Sequence, residues 1–308
     1  MQMRILYGII ALLVCGNFVM AWFVFVRPSS EPSIPDQSSF IDPFRGYENQ
    51  EDLIINVQPL REAITKYEAK GNVSIYFEYL KTGANIAVQK DAQFWPASLL
   101  KLPVAMAVAK MVENGAWDWD DTLALQEEDR DGEFGTLYKL PAGTKLTVEE
   151  LVRRMLIDSD NTAYRLLFRK VGAEQISNIY THVGLTKFFS DEGEISAKRY
   201  SVLLRALYTS SYLKPANSEK LLSFLAETPF REYLGSGMPA SVRFSHKLGL
   251  NDSQGVVLDS GIVYVPNRPY LLTVMVRTRD LEYAKKVMKE VSQLSYDYIS
   301  SYRGESIE

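Results

Sequence analysis

Strand patterns stand only near the two ends of the globular part of this chain, and everything between them reads as helix. At the first end, "NVSIYFEYL" and "NIAVQ" flank "KTGA", the signal of a β-hairpin. At the second end stand "SVRFSHKLG", "GVVLDSGIVYV" and "YLLTVMVRT", the last two separated by the turn "PNRP". An amphipathic helix, "VQPLREAITKYEAK", precedes the first pair, and another over about 279–300 follows the last strand. Helical patterns run over about 98–114, 147–157, 161–171, 173–183, 196–210 and 217–227. Five strands joined largely by hairpins predict one antiparallel sheet. The fold class is therefore α+β: a five-stranded sheet flanked by terminal helices, with an all-helical lobe over about 98–230 inserted into it.

The N-terminus sets the location. Residues 5–26, "ILYGIIALLVCGNFVMAWFVFV", carry no charge, and roughly 20 apolar residues span a bilayer core as a helix. No short apolar region with a small-x-small cleavage site is evident. Residues 1–27 are read as one uncleaved transmembrane signal anchor, with a cleaved signal peptide as the alternative; either places the remainder outside the cytoplasm. Residues 28–50 are rich in Pro, Ser and acids, a linker that buries little. The globular domain spans 51–303, with 304–308 a tail. The chain is expected to be a monomer.

Composition removes several functions. The 308 residues carry a formal charge of −4 with the signs interspersed, so no nucleic-acid surface is expected. Two histidines, His182 and His246, leave little material for a metal site or a Ser-His-Asp triad, and no metal or other cofactor is expected. Cys15 is the single cysteine.

The stretch "FWPASLLKLPVAMAV" places Ser98 at the mouth of an apolar helix with Lys101 three positions on. Positions i and i+3 share a helix face. A serine hydroxyl needs an adjacent base to act as a nucleophile, and a lysine serves as that base when burial and nearby positive charge lower its pKa. Ser98 as a plain N-cap is the competing reading. Ser-x-x-Lys also occurs at Ser211–Lys214, before Pro215, where it reads as a helix end. "MLIDSDNTAYRLL" adds Ser159, a second hydroxyl able to hand on a proton, and Asn161, able to hold a substrate amide; a helix cap is again the alternative. "RFSHKLGLN" puts Lys247 and Gly249 at a strand end, the lysine supplying positive field and the glycine letting a ligand approach the backbone.

Ser-x-x-Lys, Ser-Asp-Asn and Lys-x-Gly in this order resemble the class A β-lactamases and penicillin-binding proteins. "TVEELVRRMLIDSDNTAYRLLFRKVG" and "SGIVYVPNRPYLLTVMV" share the likeness, which covers roughly 52–302. The resemblance implies that Ser98 attacks a carbonyl and forms an acyl-enzyme, with Lys101 as base directly or through water. Ser159 and Lys247 would relay a proton to the departing nitrogen, and the amides of Ser98 and Leu250 would form the oxyanion hole. The implied partner is a β-lactam or a peptidoglycan stem peptide.

Two departures qualify the likeness. Leu248 stands where the family has a hydroxyl, leaving carboxylate recognition to Lys247, with Arg243 or His246 as helpers. The loop bearing the deacylating glutamate is mostly missing, so Glu194, with Glu192 second, is the candidate deacylation base; plain loop acids are the alternative. Lys81-Thr82-Gly83 matches the third motif literally but precedes Ser98 in a hairpin turn and is read as structural. Trp95, Trp117 and Trp119 read as packing residues, and "QEEDRDGEFG" as a solvated loop able to overhang the cleft. The expected activity is that of an extracytoplasmic serine hydrolase of the class A β-lactamase type, with a D,D-peptidase or a catalytically weak binding homologue as alternatives.

Overall fold

A computed structural model describes residues 39–42 and 52–303, all but Ser39 within the unit Phe40–Glu308. Helix α1 (Gln58–Ile64) leads to β1 (Val73–Tyr79) and β2 (Asn85–Val88). Then come α2 (Lys101–Glu113), a ribbon of β3 (Thr122–Ala124) and β4 (Lys145–Thr147), and α3 (Val148–Ile157). Helices α4 (Asn161–Val171), α5 (Ala173–His182), α6 (Ala197–Tyr208) and α7 (Pro215–Ala226) complete the lobe. Strands β5 (Arg243–Asn251), β6 (Val256–Tyr264) and β7 (Tyr270–Arg277) precede α8 (Leu281–Ser301).

The sheet has the order β2-β1-β7-β6-β5, every pair antiparallel. Pairing of β1 with β7, from Val73 opposite Val276 to Tyr79 opposite Tyr270, joins the two distant strand groups. That closure leaves the helical block as an insertion and makes β5 an edge strand. All seven residues of β1 are buried, because both sheet faces are covered. One core, with Leu102, Met106, Leu151, Leu166 and Met275, fills the space between sheet and helical lobe. The other, with Ile64, Phe77, Val274, Met288 and Val291, lies under α1 and α8.

Helix α2 runs through the first core, and Lys101 to Ala109 are all buried. A helix with no wet face carries its polar side chains inward, so the Lys101 amine has to find partners inside the protein.

The structure departs from the sequence reading at three places. The β3–β4 ribbon was not expected; three-residue strands are too short to show a period. The α-helix read from about 98 begins at Lys101, preceded by a 3₁₀ turn over Ala97–Leu100. Phe40 to Asp42, inside the segment read as linker, dock on the domain: Phe40 N–H donates to Glu219 Oε1 at 2.8 Å and Asp42 N–H to the Tyr208 carbonyl at 2.9 Å. Phe40 meets Tyr264 edge-on at 5.2 Å, an apolar contact that the Pro/Ser composition hides. No helix among the described residues is long and apolar enough to cross a membrane. Residues 5–26, read as the anchor, and the tail 304–308 lie outside the described residues.

Candidate active site

Ser98 follows Ala97, whose φ of +46° is left-handed, a conformation that costs a non-glycine residue about 1–3 kcal/mol. No side-chain cap bond forms at this turn, so Ser98 is not an N-cap. Its Oγ lies instead 2.8 Å from Lys101 Nζ. Ser159, between α3 and α4, is also left-handed, with φ +57°. The cap of α4 is Asp160, whose carboxylate accepts from Ala163 N–H. Strained backbone at Ala97, just before Ser98, and at Ser159 itself accompanies the turning of both hydroxyls onto one lysine.

Lys101 Nζ lies 2.8 Å from the Ser159 carbonyl, 3.1 Å from Ser159 Oγ and 2.6 Å from Asn161 Oδ1. Asn161 Nδ2 donates to Asp131 Oδ1 at 3.2 Å; a carboxylate cannot donate, so the amide oxygen must face Lys101. Lys247 reaches in from β5 and donates to Ser159 Oγ at 3.0 Å. Lys101 is 2% and Lys247 1% exposed.

These partners suit a neutral Lys101. Two of them, the Ser159 carbonyl and Asn161 Oδ1, can only accept, and they take the two N–H bonds of a free amine. The remaining lone pair then faces the Ser98 hydroxyl, which is the arrangement of a base. Burial draws Lys101 down to about 8, although the charges of Asp160, Asp131 and Glu133 pull upward. Burial also pushes Lys247 well below its ordinary value; the Lys101 charge adds to this and Asp259 opposes it. Above about pH 8 the Lys101 lone pair is free, and below it the amine is an ammonium. Acylation of Ser98 is thus expected to fall by up to about tenfold per pH unit below pH 8, which rates measured across that range will check.

Strand β5 passes close to the turn that carries Ser98, helped by the missing side chain of Gly249. A Cβ there would sit 3.3 Å from Leu99 Cγ and 3.4 Å from Ala97 Cβ and the Pro96 oxygen. The approach brings Leu250 to the same cleft as Ser98. That cleft, about 100 Å³ in volume, is lined by Ser98, Ser159, Phe134, Phe230, Glu232, Leu248 and Leu250. Beyond Tyr164, whose ring centroid is 5.9 Å from Lys101 Nζ, lies a hollow of about 620 Å³ walled by residues such as Leu100, Val104, Phe168 and Phe188, with no acid in its lining.

Five residues singled out in the sequence lie elsewhere. Glu194 turns to Arg277 at 3.5 Å, and Glu192 is exposed. Neither lines the cleft; the shortened loop pairs Ile195 with Phe94, and Glu194 beside that bridge turns to Arg277 at the end of β7. His246 is fully buried, with Nδ1 2.8 Å from Asp259 Oδ1. Arg243 stacks on Phe40 and Tyr264 at 4.7 and 5.2 Å. The decoy Thr82 bonds the Ile54 carbonyl at 2.6 Å. No cluster of His, Cys, Asp or Glu able to hold a metal occurs among the described residues.

Sequence reasoning missed the support of the site. The run read as a solvated loop is tied down: Asp129 is buried and pairs with Arg169 at 2.6 Å, and Asp131 pairs with Arg165 at 2.6 Å. Phe134, Phe230 and Glu232 reach the cleft only through loop paths that no short-range pattern reports.

An antiparallel sheet with an inserted helical lobe, and two buried lysines sharing a serine hydroxyl beside a second serine, define a serine hydrolase of the β-lactamase and penicillin-binding type. Residues 58–299 match the model of the β-lactamase enzyme family, and the chain belongs to that family. A β-lactamase of Streptomyces lavendulae is 25% identical over 232 residues, covering 69% of this chain and 76% of that protein. The structure of PBP-A superposes with a TM-score of 0.71 at 25% identity, covering 78% of this chain and 96% of that one. A β-lactamase from Sphaerobacter thermophilus shares the fold, with a TM-score of 0.70 at 23% identity over 80% of this chain and 98% of its own.

Proposed function

We propose that this protein opens β-lactam amides through an acyl-enzyme on Ser98, on the extracytoplasmic side of a membrane to which residues 5–26 anchor it. The observation that supports this most is the Lys101 amine, buried and 2.8 Å from Ser98 Oγ, with obligate acceptors on its other side. As Oγ bonds the carbonyl carbon, its proton moves to the Lys101 lone pair. The developing oxyanion accepts from the backbone N–H groups of Ser98 and Leu250, each donor worth about 3–4 kcal/mol. When the C–N bond breaks, the nitrogen takes the Ser159 hydroxyl proton, and Lys101 returns its proton to Ser159 Oγ, 3.1 Å away. Lys247 stabilises the transient Ser159 alkoxide from 3.0 Å.

A second reading, a penicillin-binding D,D-peptidase acting on peptidoglycan stem peptides, is favoured by the position of Glu194. Glu194 faces Arg277, and the apolar hollow beside Tyr164 has no acid in its lining, so neither supplies a base to activate water beside Lys101. Both readings share acylation and part at release. Time-resolved intact mass after mixing with a penicillin, a cephalosporin and an uncharged β-lactam ester tests them together. The expected result is a Ser98 adduct, absent in Ser98→Ala, that persists for the peptidase and clears for the β-lactamase. Absence of any adduct or hydrolysis across all three would sink both and leave a binding protein.

A further inference from the structure

The lining of the Ser98 cleft limits which acyl donors it admits. A carboxylate near the scissile bond needs N–H or O–H donors or a free cation. Around Ser98 and Ser159 the wall offers Phe134, Phe230, Leu248 and Leu250, and the one charged lining side chain is Glu232, itself an acid. Cations stand near but are committed. Lys101 and Lys247 lie buried behind the two serines, Lys101 engaged by Ser98, the Ser159 carbonyl and Asn161, and Lys247 by Ser159 Oγ and the Leu248 carbonyl. Arg243 is stacked between two rings, and His246 is shut in with Asp259. Glu232 is exposed and makes no ion pair among the described residues; Lys285, which feels its charge, pairs with Glu282 at 2.9 Å.

We infer that the cleft selects acyl donors with no negative charge on the leaving-group side, where Leu248 adjoins Ser159, and that Glu232 at the rim favours an amide or an ammonium there. This rests on the acyl-enzyme reading above and narrows its substrate class: amidated or amine-bearing leaving groups rather than free acids. A free carboxylate entering this wall would lose water, find no donor beyond the serine hydroxyls that the reaction itself uses, and face a like charge.

The test uses the full-length chain in detergent with benzylpenicillin, its carboxamide and its 2-aminoethyl amide, following the rate of Ser98 modification by intact mass. The carboxamide is expected to react about tenfold faster than the free acid, and the cationic amide about threefold faster again, the size of an exposed charge pair. Leu248→Thr should raise the free acid's rate selectively, and Glu232→Gln should remove the cationic advantage. A free acid as fast as the carboxamide, or ratios unchanged in both variants, overturns the inference while leaving the acyl-enzyme intact. Absence of both adduct and hydrolysis with all three overturns the acyl-enzyme reading and the inference together.

Discussion

Lys101→Met is expected to slow acylation of Ser98 by about 10²–10⁴-fold, the usual contribution of a positioned general base. Methionine matches the lysine stem and fits the apolar surroundings of α2, so the loss falls on chemistry. The Ser159 carbonyl and Asn161 Oδ1 each lose an N–H partner, at about 1–3 kcal/mol apiece, partly offset because a buried amine no longer has to be desolvated. Thermal unfolding should therefore still show one folded transition while intact mass shows almost no adduct. A folded variant that acylates within about tenfold of the parent would falsify the base role. The pH limb near 8 should vanish with the residual activity, because among the described residues no other amine is bonded to the Ser98 hydroxyl.

Asp160→Ala should produce the largest loss of stability from a single side chain at this site, about 3–5 kcal/mol. The Asp160 side chain is fully buried. One oxygen accepts from Thr136 and Leu137 N–H at 2.7 and 2.9 Å, and the other from Ala163 N–H at 2.9 Å. Truncation removes the cap of α4 and orphans three amides in the interior. Gly135 shows how tightly the loop is wrapped around this acid: a Cβ there would lie 2.1 Å from Asp160 Oδ2, and its φ of +88° suits only glycine. The same loop carries Asp131, which holds Asn161 in place, so acylation should weaken with stability. For a domain of this size the change corresponds to roughly 10 °C in Tm. A loss below about 1 kcal/mol in denaturant unfolding would mean that water replaces the carboxylate, and the loop would then be an independent element.

The elements that were legible in the sequence are those with strong local causes. Helix α4 was expected over 161–171 and is found at Asn161–Val171, because an Asp cap precedes an amphipathic run that Gly172 ends. Strands β6 and β7 were legible because runs rich in β-branched residues flank a Pro-Asn-Arg-Pro turn. At the site, Ser98, Lys101, Ser159, Asn161 and Lys247 were readable as residue types in order, but their convergence was not. The fate of Glu194 was unreadable too, since the Arg277 it meets is 83 positions away (277 − 194) and joined to it only by the fold. The charged run at 126–135 looked solvated because its partners, Arg165 and Arg169, stand on α4, beyond β4 and α3 along the chain.

By itself the sequence determined the elements, their order and the chemical inventory, since periodicity, caps and turns act over a few residues. Tertiary structure decided the rest. Pairing of β1 with β7 expelled the helices as a lobe, and Gly249 let β5 reach the turn at Ser98. Burial on α2 then lowered the proton affinity of Lys101, because that affinity depends on how much water and charge surround the amine, and only the folded chain sets that.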